Sequence, residues 1–165
     1  MAPTSLPVNS NENENIMTTI KKLLLPKQPF LYERIRVLKG GALNRKRGKF
    51  VMYCMLNTFR AHDNPALQTA IQLANSLDLP LLVLTVLNDK WKHSTERRFN
   101  FILEAMKSVS IELYDKYKIP LTLNIQCTNK TYKPWHLMLA SRGAATIILD
   151  EPYTEPYISF ARQIK

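Results

Sequence analysis

From Phe50 onward, apolar runs and amphipathic stretches alternate along the chain with a regular rhythm. Phe50–Leu56 is a continuous apolar run of strand length. Asn64–Leu77 follows, with Leu67, Ile71, Leu73 and Ala74 recurring along one helical stripe. Leu81–Leu87 is rich in Leu and Val, the pattern of a parallel strand buried on both faces. Thr95–Tyr117 carries Phe99, Ile102, Leu103, Met106, Val109, Leu113 and Tyr117 at helical spacing, with Ser94 as the expected cap. Leu121–Cys127 reads as a third strand, Tyr132–Ser141 as a helix closing at Gly143, and Ala145–Leu149 as a fourth strand. Ile158–Lys165 opens one more helix. Strand–helix alternation with short connections predicts an α/β fold, a doubly wound and mainly parallel sheet with helices on both faces. Such sheets bind ligands beyond the carboxyl ends of their strands, which here carry residues 57–63, 88–93, 128–131 and 150–155.

Length changes this picture little, since 165 residues suit one domain with a real core. Ten Pro against four Gly argue for defined turns rather than low-complexity linkers. Residues 1–29 are expected to be a flexible extension, because residues 9–15 are uniformly polar and the segment lacks the apolar core of a signal peptide. Residues 30–49 form a basic lead-in with a turn at Gly40-Gly41, and residues 50–165 the domain proper. No apolar run approaches the length of a membrane span. Without secretory features an intracellular location is expected, in nucleus, cytoplasm or an organelle. Cys54 and Cys127 are then expected as free thiols inside strands.

The net charge of +10 favours an anionic partner such as DNA. Its distribution tempers that: Arg34, Arg36, Lys39, Arg45, Lys46, Arg47 and Lys49 crowd the lead-in, opposed there only by Glu33. The cluster is a candidate nucleic-acid or protein-partner contact, and equally a solvated basic segment.

Much chemistry is excluded. No glycine-rich phosphate loop occurs at a strand-to-helix turn, and neither a G-x-S-x-G elbow nor a C-x-x-C pair is present. His62, His93 and His136 are too scattered to suggest a metal site, and no catalytic residue is nominated. The candidate ligand-binding residues lie at the strand ends: Arg60, Asp63, Asn64, Trp91 and Asp150. Each also has a plain structural reading. Asp63-Asn64 before Pro65 suits a helix cap, His62 an exposed loop, and Trp91 or Trp135 a loop anchor rather than a chromophore wall.

Several motifs, in order, resemble one family. Arg60 to Leu67 matches an R-x-x-D-N-x-A-L signature found near the start of photolyases and cryptochromes. Arg34 to Lys39 and Val51 to Met55 resemble the "R-I-R-x-L-K" lead-in and "V-x-Y-W-M" strand that open class II cyclobutane-pyrimidine-dimer photolyases. Leu79 to Leu84 is similar to their second strand, Arg97 to Leu103 to an "R-x-x-F-M-L" helix, Ile119 to Leu121 to "I-P-F", and Leu149-Asp150 to a strand ending in "T-D". Departures fall at Cys54, where the family has Trp, at Leu56 to Arg60, which lacks the family's acidic residue, and at Glu151 to Glu155.

The resemblance implies the N-terminal α/β domain of a protein that repairs pyrimidine dimers in DNA with light. It also implies a possible deazaflavin antenna. FAD would belong to a following helical domain that is expected to be absent from this chain, which would then be inactive alone. Two rival readings stand beside it: a non-enzymatic docking subunit of a larger assembly, and a chromophore- or nucleotide-binding module.

Overall fold

The computed structural model of the chain describes residues 16–24, 26, 29–39, 48–88, 95–126, 139–153, 155 and 157–164. Two short helices, α1 (Ile16–Leu24) and α2 (Pro29–Glu33), lead into β1 (Phe50–Cys54), α3 (Pro65–Leu77), β2 (Leu81–Asn88), α4 (Glu96–Tyr117), β3 (Leu121–Gln126), β4 (Ala144–Leu149) and α5 (Tyr157–Ile164). The four strands form one parallel sheet in the order β3-β2-β1-β4. The chain thus builds outward from β1 through β2 to β3, then returns to β1's other side. That return is the switch point at which doubly wound sheets open a crevice.

β1 is central, and its residues Val51, Met52, Tyr53 and Cys54 are almost wholly buried. Alternate side chains feed two cores. On one face Tyr53 and Val83 meet Leu67 and Ala70 of α3 and Val109 and Leu113 of α4. On the other, Met52, Cys54, Leu84 and Ala144 meet Tyr157 of α5. The expected doubly wound α/β architecture is therefore the observed one, with helices on both faces.

Helix ends follow their local chemistry. Asn64 caps α3, its side chain accepting from the Leu67 N–H, with Pro65 in the first turn. α4 starts one residue later than expected: Thr95, rather than Ser94, supplies the capping oxygen, accepting from the Arg98 N–H. Asp78 and Lys118 end α3 and α4 in left-handed conformations, at φ 53° and 58°.

The expected flexible extension needs one correction. Residues 16–24 form α1, and Ile20 and Leu24 are buried with Leu31 of α2 and Leu73 of α3. The cause is spacing: Ile16, Ile20, Leu23 and Leu24 share one helical face, which packs into a cluster with Leu31 of α2, Leu73 of α3 and Ile148 of β4. Residues before 50, namely those of α1 and α2, are therefore part of the packed body. The polar run 9–15, residues 132–138 of the helix expected over 132–141, and Cys127, His93, His136 and Trp135 lie outside the described residues.

Candidate crevice at the switch point

Register brings the site together. Leu149 pairs with Cys54, so Asp150 arrives where β1 leaves the sheet and turns over residues 55–58. There one carboxylate oxygen, Oδ2, accepts three successive backbone donors: Leu56 N at 3.1 Å, Asn57 N at 3.1 Å and Thr58 N at 3.0 Å. Consecutive amides converging on one point make an anion-binding nest, and charge-assisted bonds of this kind are the stronger class.

The other oxygen of Asp150, Oδ1, accepts from the Tyr53 hydroxyl at 2.9 Å. That hydroxyl in turn accepts from Asn64 Nδ2 at 3.0 Å. Asn64 is itself buried and fully engaged, its Nδ2 also donating to the Arg60 carbonyl at 3.0 Å and its Oδ1 capping α3. Asn64 therefore donates to Tyr53 and Tyr53 to Asp150, a single relay that runs from the start of α3 and ends on the carboxylate after β4. Burial, and then the charge of Asp150, push the Tyr53 hydroxyl well above the usual phenol range. The same two causes push the Cys54 thiol up to about 12, so it is an inert core group at neutral pH.

The loop between β1 and α3 is pinned from outside as well. His62 Nδ1 lies 2.9 Å from Glu112 Oε1 on α4, with both side chains exposed. Asp63 is exposed and takes a left-handed turn at φ 45°, which sets Asn64 at the head of α3. Arg60 is exposed, its carbonyl rather than its guanidinium entering the relay. The structure thus brings together Asn64 and Asp150 of the residues singled out from sequence. It leaves Arg60 and Asp63 on the surface, and Trp91 lies outside the described residues.

Of the basic cluster, Arg34, Arg36, Lys39 and Lys49 are exposed, and Arg45, Lys46 and Arg47 lie outside the described residues. Arg36 pairs with Glu151, the residue after Asp150, at 2.8 Å. That contact is solvated and worth little on its own. Among the described residues no three His, Cys, Asp or Glu side chains are grouped as metal ligands would be, and no helix is long and apolar enough to cross a membrane.

Sequence reasoning missed Tyr53. A signal existed: a tyrosine inside a buried strand needs a partner for its hydroxyl, and the first polar residue ending a neighbouring strand is the obvious one.

Comparison with known proteins agrees with this architecture. The family model described as DNA photolyase matches residues 51–154, from the second residue of β1 to just past Asp150. Among relatives, the deoxyribodipyrimidine photo-lyase of Methanothermobacter thermautotrophicus is 38% identical over 84 residues, covering 51% of this chain and 19% of that protein. The deoxyribodipyrimidine photo-lyase of Arabidopsis thaliana is 33% identical over 93 residues, covering 54% of this chain and 18% of that protein. The matched segment thus spans under a fifth of either relative. With the family model matching residues 51–154, well over half of the chain and nearly all of its parallel sheet, the chain belongs to the DNA photolyase family.

Proposed function

We propose that this chain is the N-terminal α/β domain of a class II photolyase-like protein, and that it supports, but does not itself perform, light-dependent repair of pyrimidine dimers in DNA. The observation that carries the second half is the crevice. Its polar groups, Asp150, Tyr53, Asn64 and the amides of residues 56–58, are spent on one another. None of them stands ready as an acid, base or electron-transfer partner. The class II assignment rests on the order of motifs from Arg34 to Asp150.

Repair is tested by incubating the chain with FAD and a dimer-containing oligonucleotide under blue light. No repair above the light-only control is expected, and restored bases would overturn the reading.

A docking subunit is the second reading. It is favoured by large apolar side chains left on the outer surface of α4: Phe101 is 71% exposed and Tyr114 57%. The intact mass of the endogenous protein separates the two. A mass well above that of this chain supports a parent photolyase, and a mass equal to it supports the docking role.

A further inference from the structure

The loop after β1 is a complete anion site, and its anion belongs to the protein. Three consecutive amides, from Leu56, Asn57 and Thr58, point at one oxygen within 3.1 Å. This is the place where doubly wound folds commonly receive a ligand's phosphate, at the carboxyl end of the first strand beside the switch point. The geometry points to Asp150 as an internal ligand that occupies this nest and closes the crevice to phosphate-bearing ligands. The inference concerns what the crevice refuses, and it stands whether or not the parent protein repairs DNA.

Two features make the occupancy stable rather than incidental. The aspartate reaches the nest from the neighbouring strand, so its backbone is fixed by the β1–β4 ladder. Its second oxygen is held by a buried hydroxyl, Tyr53, which is itself oriented by Asn64. An incoming phosphate would have to displace a carboxylate of like charge from donors that it already satisfies. Like-charge juxtaposition of this kind is how sites reject the wrong ligand. A ligand of this crevice would instead have to present a neutral or cationic edge towards Asp150.

The test uses the whole chain, labelled for NMR, as wild type, Asp150→Ala and Asp150→Asn. The amide signals of Leu56, Asn57 and Thr58 are followed during titration with sodium formate and, separately, with inorganic phosphate at constant ionic strength. Formate replaces the missing carboxylate, and phosphate stands for the excluded class. In D150A both anions should move these three signals saturably, with affinity at least about tenfold above wild type's. Should D150A fail to fold, D150N preserves the shape of the side chain and removes its charge, and phosphate should then perturb its loop amides more than those of wild type. Equal responses in wild type and the folded variant would overturn the proposal. So would a D150A loop that takes formate but not phosphate, because the size of the nest, and not Asp150, would then be what keeps phosphate out.

Discussion

Replacing Tyr53 by Phe removes one oxygen from the middle of the relay and leaves the packed ring in place. The hydroxyl donates to a carboxylate at 2.9 Å and accepts from Asn64 at 3.0 Å. The second bond matters less, because Asn64 Nδ2 keeps the Arg60 carbonyl and its Oδ1 keeps the Leu67 N–H. The first is a bond to a charged group, a class worth about 1.5–3 kcal/mol. Asp150 is only half-buried, so water recovers part of that loss. The expected cost is therefore about 2 kcal/mol, or roughly 4–8 °C in melting temperature for a chain of this size. Urea unfolding followed by circular dichroism measures it, with an unchanged slope as the check that only stability has moved. The same substitution made in an Asp150→Ala background should cost much less, leaving a coupling of about 1 kcal/mol or more between the two sites. A Y53F protein within about 0.5 kcal/mol of wild type, or an equal loss in both backgrounds, would refute the relay and assign Tyr53 a packing role alone.

Other consequences can be checked in the same assay. Cys54 is held neutral in the fold up to about pH 12 against an ordinary value of 9.0. The unfolded chain therefore releases this proton first, and stability should be level below pH 9 and fall above it, by up to about 1.4 kcal/mol per pH unit from this thiol. Cys54→Ala should flatten that fall between pH 9.0 and 10.0, below the range where the raised Tyr53 hydroxyl adds its own loss, and an unaltered slope there contradicts it. The Thr85 hydroxyl on β2 is buried and has no hydrogen-bond partner among the described residues. Thr85→Val should accordingly raise stability by about 1 kcal/mol, and a loss would mean that the hydroxyl is satisfied in solution. Leu24, the last residue of α1, is 1% exposed against Leu31 and Leu73, so Leu24→Ala should cost about 2–5 kcal/mol. A neutral result there would show that α1 does not stay docked on α3.

Sheet and helices were legible because each strand and each of the two long helices carries its own period. Phe50–Cys54 and Leu81–Asn88 are apolar enough to declare burial on both faces, and the Leu67-to-Ala74 stripe declares one face of α3. The cap at Asn64 was equally local, a matter of one side chain and the amide three residues on. α1 was hidden because it is a short amphipathic helix set behind a polar run, where composition outweighs the spacing of Ile16, Ile20 and Leu24. The crevice was hidden for a different reason. Asp150 and Tyr53 lie 97 residues apart, and only the pairing of β4 with β1 shows that they meet. Backbone amides carry no letter in a sequence, so a nest of three of them is visible only once the loop has its shape. Arg60 and Asp63 were singled out for their place beyond the end of β1, and that their side chains stay exposed while the Arg60 carbonyl does the internal bonding depends on the shape of the turn.

The strand order also has a consequence for how the chain comes into being. β1 takes its first neighbour, β2, from the next thirty or so residues, but its second, β4, begins only at Ala144. During synthesis the most buried strand of the sheet therefore waits as an open edge, with unpaired backbone groups beside side chains made for the interior. Such edges are where partly made proteins stick to one another. Once β4 docks, it covers the edge and delivers Asp150 to the loop in the same motion, so closure of the crevice coincides with loss of the sticky edge. Ribosome-stalled chains halted before residue 144 should thus be far more prone to co-aggregate than chains released past residue 150, because the last strand of the sheet protects the first.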